Sequence, residues 1–208
     1  MPNNPIKELM GLSAWAKVEI KKAKKLQNEG NVLITHWGMS GPAILKLSAW
    51  GARYLAEQNY QFDLQVSWIE EKEEALRSKI ADFRAKKGAS LLQNHHFTDL
   101  PKRLWLFLLE KAQINMQKKW ADLNKSEINK LCEVLLSDSY EVSGKTTYKE
   151  EFVTCGGIAL NEINPQTMAS KKHPNLYFTG EVLDIDGITG GFNFQAAWTT
   201  AWIASKLA

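Results

Sequence analysis

At 208 residues, with 44% hydrophobic and 24% charged side chains, the chain has room for one sizeable core or two smaller ones, and neither wholesale disorder nor a fibrous repeat fits. Twenty-six Lys and Arg against 23 Asp and Glu leave +3, too mild a charge for a nucleic-acid-binding field over the whole molecule. Cys132 and Cys155 stand in no metal or disulfide spacing, no apolar run reaches the ~18 residues that cross a bilayer, and Met1 to Met10 lack the apolar core of a secretion signal. The expectation is a cytoplasmic protein with no metal, no membrane contact and no nucleic-acid partner.

Residues 14–20 and 31–35 are short apolar or β-branched runs, and Asn28, Glu29 and Gly30 supply turn chemistry between them, which predicts two paired strands. The basic run Lys17, Lys21, Lys22, Lys24 and Lys25 flanks Val18 and Ile20 and reads as a strand entering a solvated turn, with phosphate binding as the functional alternative. After Thr35 comes His36-Trp37-Gly38-Met39-Ser40-Gly41-Pro42, and then Ile44, Leu47, Gly51 and Leu55 share a helical face, with Ser40 as the expected N-cap. Strand, turn at residues 38–41 and helix imitate the elbow of serine hydrolases. Pro42 stands where that elbow needs glycine, however, and no Asp/His pair follows in recognisable context, so capping explains Ser40 without chemistry.

Phe62, Leu64, Val66 and Trp68 alternate with Asp63, Gln65 and Ser67, the period of a half-buried strand. Helices are expected over residues 71–87 (Ala75, Leu76, Ile80 and Phe83 inward, Gly88 as the stop), 100–118 (Leu104, Trp105, Phe107 and Leu108 inward) and 126–136. Strand-like text resumes at residues 140–142, 151–154 and 176–179. A final helix over residues 192–207 has Ala196, Ala197, Trp198, Ala201 and Trp202 on more than one side, so it needs covering on several faces.

The most informative stretch runs from Leu176 to Gln195. A strand ends at Gly180, a carboxylate follows at Glu181, and a loop containing Gly187, Gly190 and Gly191 delivers the chain into a helix. Gly180 permits close approach of backbone to a ligand. Glu181 at a strand's C-terminal edge can accept hydrogen bonds from sugar-type hydroxyls. Amides around Gly191, Phe192 and Asn193 suit a phosphate or the carbonyl edge of a flavin ring. The bland alternative is a strand, a glycine-rich turn and a core helix that bind nothing. Asp184 and Asp186 read as turn or capping groups, Cys155 as an inert thiol and His36 as a structural hydrogen-bonding residue.

Thr179-Gly180-Glu181, Asp184-Ile185-Asp186-Gly187 and Gly190-Gly191-Phe192-Asn193-Phe194-Gln195 are similar to the C-terminal signature of the BaiN-like (YhiN-type) NAD(P)/FAD-dependent oxidoreductase flavoproteins. Two further matches fall in the order that family requires: residues 35–45, and Val153-Thr154-Cys155-Gly156-Gly157-Ile158 followed by Glu162-Ile163 and Thr167-Met168. The resemblance implies an α+β chain: a β-barrel-like insert at 1–69 completed by 138–150, a helical subdomain at 70–137, and at 151–208 the C-terminal half of an α/β FAD-binding domain. No Gly-x-Gly-x-x-Gly turn with its ribose-binding acid appears, so the resemblance covers the C-terminal part only.

It further implies FAD as cofactor of the complete protein, with hydride passing between flavin and a nicotinamide (NAD(P)H) or a small organic substrate. The cofactor contacts it implies are Gly180, Glu181, Gly190, Gly191, Phe192 and Asn193, then Thr154, Gly156 and Gly157, without a nominated catalytic acid or base. The functional alternative is a truncated, inactive fragment or partner-binding module without cofactor. Unpaired sheet edges in such a part favour self-association.

Overall fold

The computed structural model describes residues 4–145 and 153–206, and the chain forms two compact units: Met1–Leu47 with Gln58–Lys145, and Ser48–Glu57 with Thr146–Ala208. In the first unit β1 (Ser13–Ile20), β2 (Gln27–Ile34) and β3 (Met39–Ser40) are followed by helix α1 (Pro42–Trp50), which leads into α2 (Ala52–Glu57) of the second. The first unit continues with β4 (Gln61–Ser67), α3 (Glu73–Lys87), α4 (Lys102–Lys111), α5 (Lys125–Leu136) and β5 (Asp138–Ser143). The strands form one antiparallel sheet in the order β3-β2-β1-β4-β5.

Alternation drives the sheet. Ala14, Ala16, Val18 and Ile20 of β1 face inward beside Val32 and Ile34 of β2 and Leu64 and Val66 of β4, all fully or almost fully buried. The helices add Leu76, Ile80, Leu104, Leu108, Leu131 and Leu135 to the core. Aromatic rings fill the space among the helices: Trp105 and Trp120 stack at 5.9 Å, Phe83 meets Trp120 edge-on at 4.9 Å, and His96 stacks on Trp105 at 5.1 Å. Helix α5 starts with a full capping box, Asn124 Oδ1 accepting from Glu127 N–H and Glu127 Oε2 from Asn124 N–H. Burial pushes the Glu127 carboxyl up, but Lys118 at 2.8 Å and the Asn124 amide outweigh it and hold the group below its ordinary value.

One buried polar cluster joins sheet and helices. Asp138, the first residue of β5, is 2% exposed and accepts hydrogen bonds from Trp68 Nε1 (2.9 Å), the Tyr140 hydroxyl and Lys111 Nζ. Lys111 also lies 3.8 Å above the centre of the Tyr140 ring. Burial first, and the Asp138 charge second, push the Tyr140 hydroxyl well above its usual value.

Several elements differ from the sequence expectation. The β1–β2 turn is at residues 21–26, not 28–30. Pairing Trp15 with Asn31 and Lys17 with Glu29 draws Asn28, Glu29 and Gly30 into β2, and the lysines take the solvated turn. Residues 35–38 close a tight hairpin through Thr35 N–H to Gly38 O (2.8 Å), so Ser40 pairs with Leu33 in β3 rather than capping α1. Gly41 takes the place before Pro42, and its carbonyl accepts from Leu45 N–H. That hairpin also removes the strand-to-helix elbow on which hydrolysis at Ser40 depends, and the His36 ring packs against Trp37 at 4.1 Å. Helix α4 ends seven residues early because Gln113 turns left-handed (φ 58°) and Ile114 N–H reaches back to Leu109 O.

Among the described residues, no helix is long and apolar enough to cross a membrane.

The second unit has a small core of Ile163, Met168 and Leu183, against which Ile158, Phe178, Ile185, Ile203 and Ala204 pack. Its main element is α6 (Phe192–Ser205). Residues 176–179 make no strand. They form a short antiparallel contact, Phe178 N–H to Met168 O at 3.0 Å and Ser170 N–H to Leu176 O at 2.8 Å, with Leu176 and Tyr177 exposed. The expected strand at 151–154 begins outside the described residues, and Val153 and Thr154 are not in a strand. The covering expected for α6 is missing among the described residues: Phe194, Trp198 and Trp202 follow one another at i, i+4 and i+8 and are 76%, 77% and 61% exposed.

Candidate functional site

The second unit gathers all nine residues singled out in the sequence, through three local devices. The first is a clamp on the glycine-rich loop. Asn193 Oδ1 accepts from Gly187 N–H at 2.7 Å while Asn193 Nδ2 donates to Gly187 O at 2.9 Å, so one side chain in the first turn of α6 fixes the loop that feeds it. Between them Gly190 (φ +126°) and Gly191 (φ +91°) adopt left-handed backbone that suits only glycine. No side chain caps the start of α6. The first helical bond inward is Gln195 N–H to Gly191 O, so the amides of Phe192, Asn193 and Phe194 open outward at the positive end of the helix dipole.

The second device docks Gly180 and Glu181 on the same helix. Residues Gly180–Val182 form a 3-10 turn, and Gly180 N–H donates to Thr200 Oγ1 at 3.0 Å. A Cβ on Gly180 would lie 3.8 Å from Ala197 Cβ, an ordinary contact, so glycine is needed there for its backbone angle (φ +73°). Glu181 is exposed. From the level of Thr200 to the helix start at Phe192 is eight residues, about 12 Å at ~1.5 Å per residue. A ligand spanning from the Gly180 docking point to the open amides of α6 is therefore an elongated one.

The third device ties in residues 154–157. Ile158 N–H donates to Val182 O (2.8 Å) and Asp184 N–H to Ile158 O (3.0 Å). The tie explains Gly157: a Cβ there would come within 2.6 Å of Val182 O, so the close approach that requires glycine is to the chain's own backbone. Gly156 and Gly191 differ, because a Cβ on either would meet nothing within 4 Å. The clearing at Gly191, beside the uncapped amides of α6, is the observation that fits a flavin nucleotide. Thr154 is exposed.

Beside them lies a polar cluster that sequence reading missed. Arg53 of α2 grips Asp184 through both carboxylate oxygens at 2.7 Å, and the hydrogen bond raises the already high Arg53 pKa. The Asp186 carboxylate, and burial after it, push the Cys155 thiol up and away from thiolate reactivity. Arg53 and Asp184 are 131 positions apart, and no local pattern announces the pair. Among the described residues no group of three His, Cys, Asp or Glu is placed to hold a metal.

Comparison with known proteins adds the family. Residues 2–153 match the model described as HI0933-like protein barrel and H2TH domain. The chain belongs to the HI0933-like family. It is 33% identical over 177 residues (85% of the chain) to a ribosomal RNA dihydrouridine synthase of Escherichia coli strain K12, and 29% identical over 194 residues (93%) to the protein of that name in Haemophilus influenzae. It is 26% identical over 208 residues (99%) to a 3-dehydro-bile acid delta(4,6)-reductase of Clostridium scindens. The chain spans 42%, 45% and 51% of these three relatives, about half their length. The HI0933-like family is thus related to flavin-dependent oxidoreductases, as the sequence resemblance implied.

Proposed function

We propose that this HI0933-like chain is the barrel, helical and C-terminal cofactor-side portion of an FAD-dependent reductase that transfers hydride from NAD(P)H to a carbon–carbon double bond conjugated to a carbonyl. One observation carries the reading: the glycine loop held by Asn193 delivers three uncapped amides at the start of α6 next to the clearing at Gly191, and Gly180, the neighbour of Glu181, docks on Thr200 of the same helix. The relatives' names support the substrate class. Dihydrouridine forms by reducing the uracil double bond next to a ring carbonyl, and a delta(4,6)-reductase of a 3-dehydro steroid reduces double bonds conjugated to the 3-ketone.

When bound, flavin supplies the two-electron chemistry linking nicotinamide and substrate. The chain's contribution is binding and orientation. In this reading Glu181 accepts hydrogen bonds from ribityl or ribose hydroxyls, and the Phe192–Phe194 amides donate to a phosphate or to the ring's carbonyl edge. Residues 156 and 157 line the approach. Arg53 positions Asp184, and the Asp186 carboxylate favours the protonated Cys155 thiol.

The test joins this chain to the N-terminal half of its Escherichia coli relative and follows NADPH oxidation with uridine-containing RNA and, separately, a steroid dienone. Turnover with either one supports the reading. A chimera that binds FAD but oxidises NADPH with neither removes it.

A further inference from the structure

The first unit carries a charge concentration that the proposed reductase chemistry leaves unused. Strand β1 leaves the sheet at Ile20 and β2 enters at Gln27, and antiparallel pairing puts the start of β4 at Gln61 and the end of β5 at Ser143 on the same edge. Among the described residues the loops there read Lys21-Lys22-Ala23-Lys24-Lys25-Leu26, Gln58-Asn59-Tyr60 and Gly144-Lys145, five lysines with no carboxylate.

Main-chain bonds hold the loops in place. Ile20 N–H donates to Leu26 O (3.0 Å), Leu26 N–H to Ala23 O (2.7 Å), Lys21 N–H to Asp63 O (3.0 Å) and Gly144 N–H to Tyr60 O (2.9 Å). Side chains are therefore not needed to build this edge. Lys21, Lys22, Lys24 and Lys25 are exposed, and none of the four forms an ion pair with a described residue. Lys145 lies over the Tyr60 ring at 5.0 Å. Glu19, Asp63 and Glu141 belong to the strands, and Glu57 ends α2 one residue before Gln58. With strands ~4.8 Å apart, the edge from β2 to β5 is roughly 14 Å wide.

We propose that this lysine edge docks the phosphodiester backbone of an RNA, making RNA rather than a steroid the substrate class of the reductase proposed above, on which reading the inference rests. Lysines act on phosphates as point charges and supply position and affinity without sequence choice. A bilayer surface fits less well: Ala23 and half-buried Leu26 are the turn's only apolar side chains, so no large residue can insert among lipids.

The test measures binding of the intact chain to a fluorescein-labelled single-stranded uridine-containing RNA at 50 and 200 mM KCl. Four phosphate contacts at a slope of about −0.7 each on single-stranded RNA give a loss of about 50-fold for this fourfold rise in salt. Substituting Lys21→Ala, Lys22→Ala, Lys24→Ala and Lys25→Ala should abolish that salt-dependent share, while the same four positions as arginine should keep it and K86A/K87A on α3 should leave it unchanged. A quadruple Lys→Gln variant serves if the alanine variant does not fold. Unchanged RNA binding in the neutralised variant, an equal loss in K86A/K87A, or binding to phosphatidylserine vesicles with RNA unbound would overturn the proposal. Flavin absorbance on the same samples, mixed with the relative's N-terminal half, separates the two readings. RNA binding without flavin sinks the reductase and spares the lysine edge, and flavin without RNA does the reverse.

Discussion

Replacing Asp138 with alanine removes the acceptor shared by three donors, and the structure fixes which losses count. Trp68 and Tyr140 are each 1% exposed, so their Nε1–H and hydroxyl would be left buried without a partner, at about 1–3 kcal/mol each. Lys111 adds little: its side chain is 30% exposed, and its ammonium keeps the Ser139 carbonyl at 3.3 Å, the Tyr140 ring and water. The expected destabilisation is about 3–4 kcal/mol, which for a chain of this size lowers Tm by roughly 6–16 °C. Asp138→Asn keeps one carbonyl oxygen as acceptor and should lose about half as much. Urea unfolding followed by far-UV circular dichroism measures both variants against the parent. A change below about 0.5 kcal/mol for Asp138→Ala would refute the reasoning, since it would mean that water or another acceptor satisfies both donors.

Other expectations follow from the glycines and from His96. Gly157→Ala should destabilise the second unit by about 2–3 kcal/mol, because its Cβ would strike Val182 O and Leu183 at 2.6 Å and break the Ile158–Leu183 tie. Gly156→Ala meets nothing and should cost about 1 kcal/mol from its backbone angle alone, a difference that thermal unfolding of the pair would show. Burial on Trp105 lowers the His96 pKa, so the unfolded chain binds more protons than the folded one at mildly acid pH. Its contribution is present above about pH 6.5 and is lost as pH falls through the depressed folded value. His96→Phe should therefore flatten the fall in stability between about pH 7 and 5, and an unchanged slope would show that other groups carry it.

The sheet was readable wherever alternation was strict. Phe62 to Trp68 declared β4 outright, and Leu76 with Ile80 declared the buried face of α3. Register was harder, because the turn chemistry of Asn28-Glu29-Gly30 competes with a lysine run that is equally at home in a turn, and only the pairing of Trp15 with Asn31 decides between them. Ser40 looked like a cap since residues 35–38 give no local sign that they fold back as a hairpin.

In the second unit the glycines were legible as special positions but their reasons were not. Gly157 and Gly180 answer to the chain's own backbone, while Gly156 and Gly191 face open space. Asn193 is singled out in sequence for its backbone N–H, and nothing local announces that its side-chain amide holds Gly187; Arg53 leaves no trace near Asp184 in sequence. Leu176 to Thr179 has strand-like composition, but with Leu176 and Tyr177 exposed it forms only a local bridge.

The central claim, that residues 179–195 form part of a flavin cradle, is tested most directly by protein-bound flavin absorbance after mixing the purified chain with FAD and the N-terminal half of its Escherichia coli relative. The account predicts near-stoichiometric bound flavin whose affinity falls by about tenfold in Glu181→Gln, the worth of one charge-assisted hydrogen bond. No retained flavin in the reconstituted protein, or retention indifferent to Glu181→Gln and to Gly191→Val alike, would contradict it.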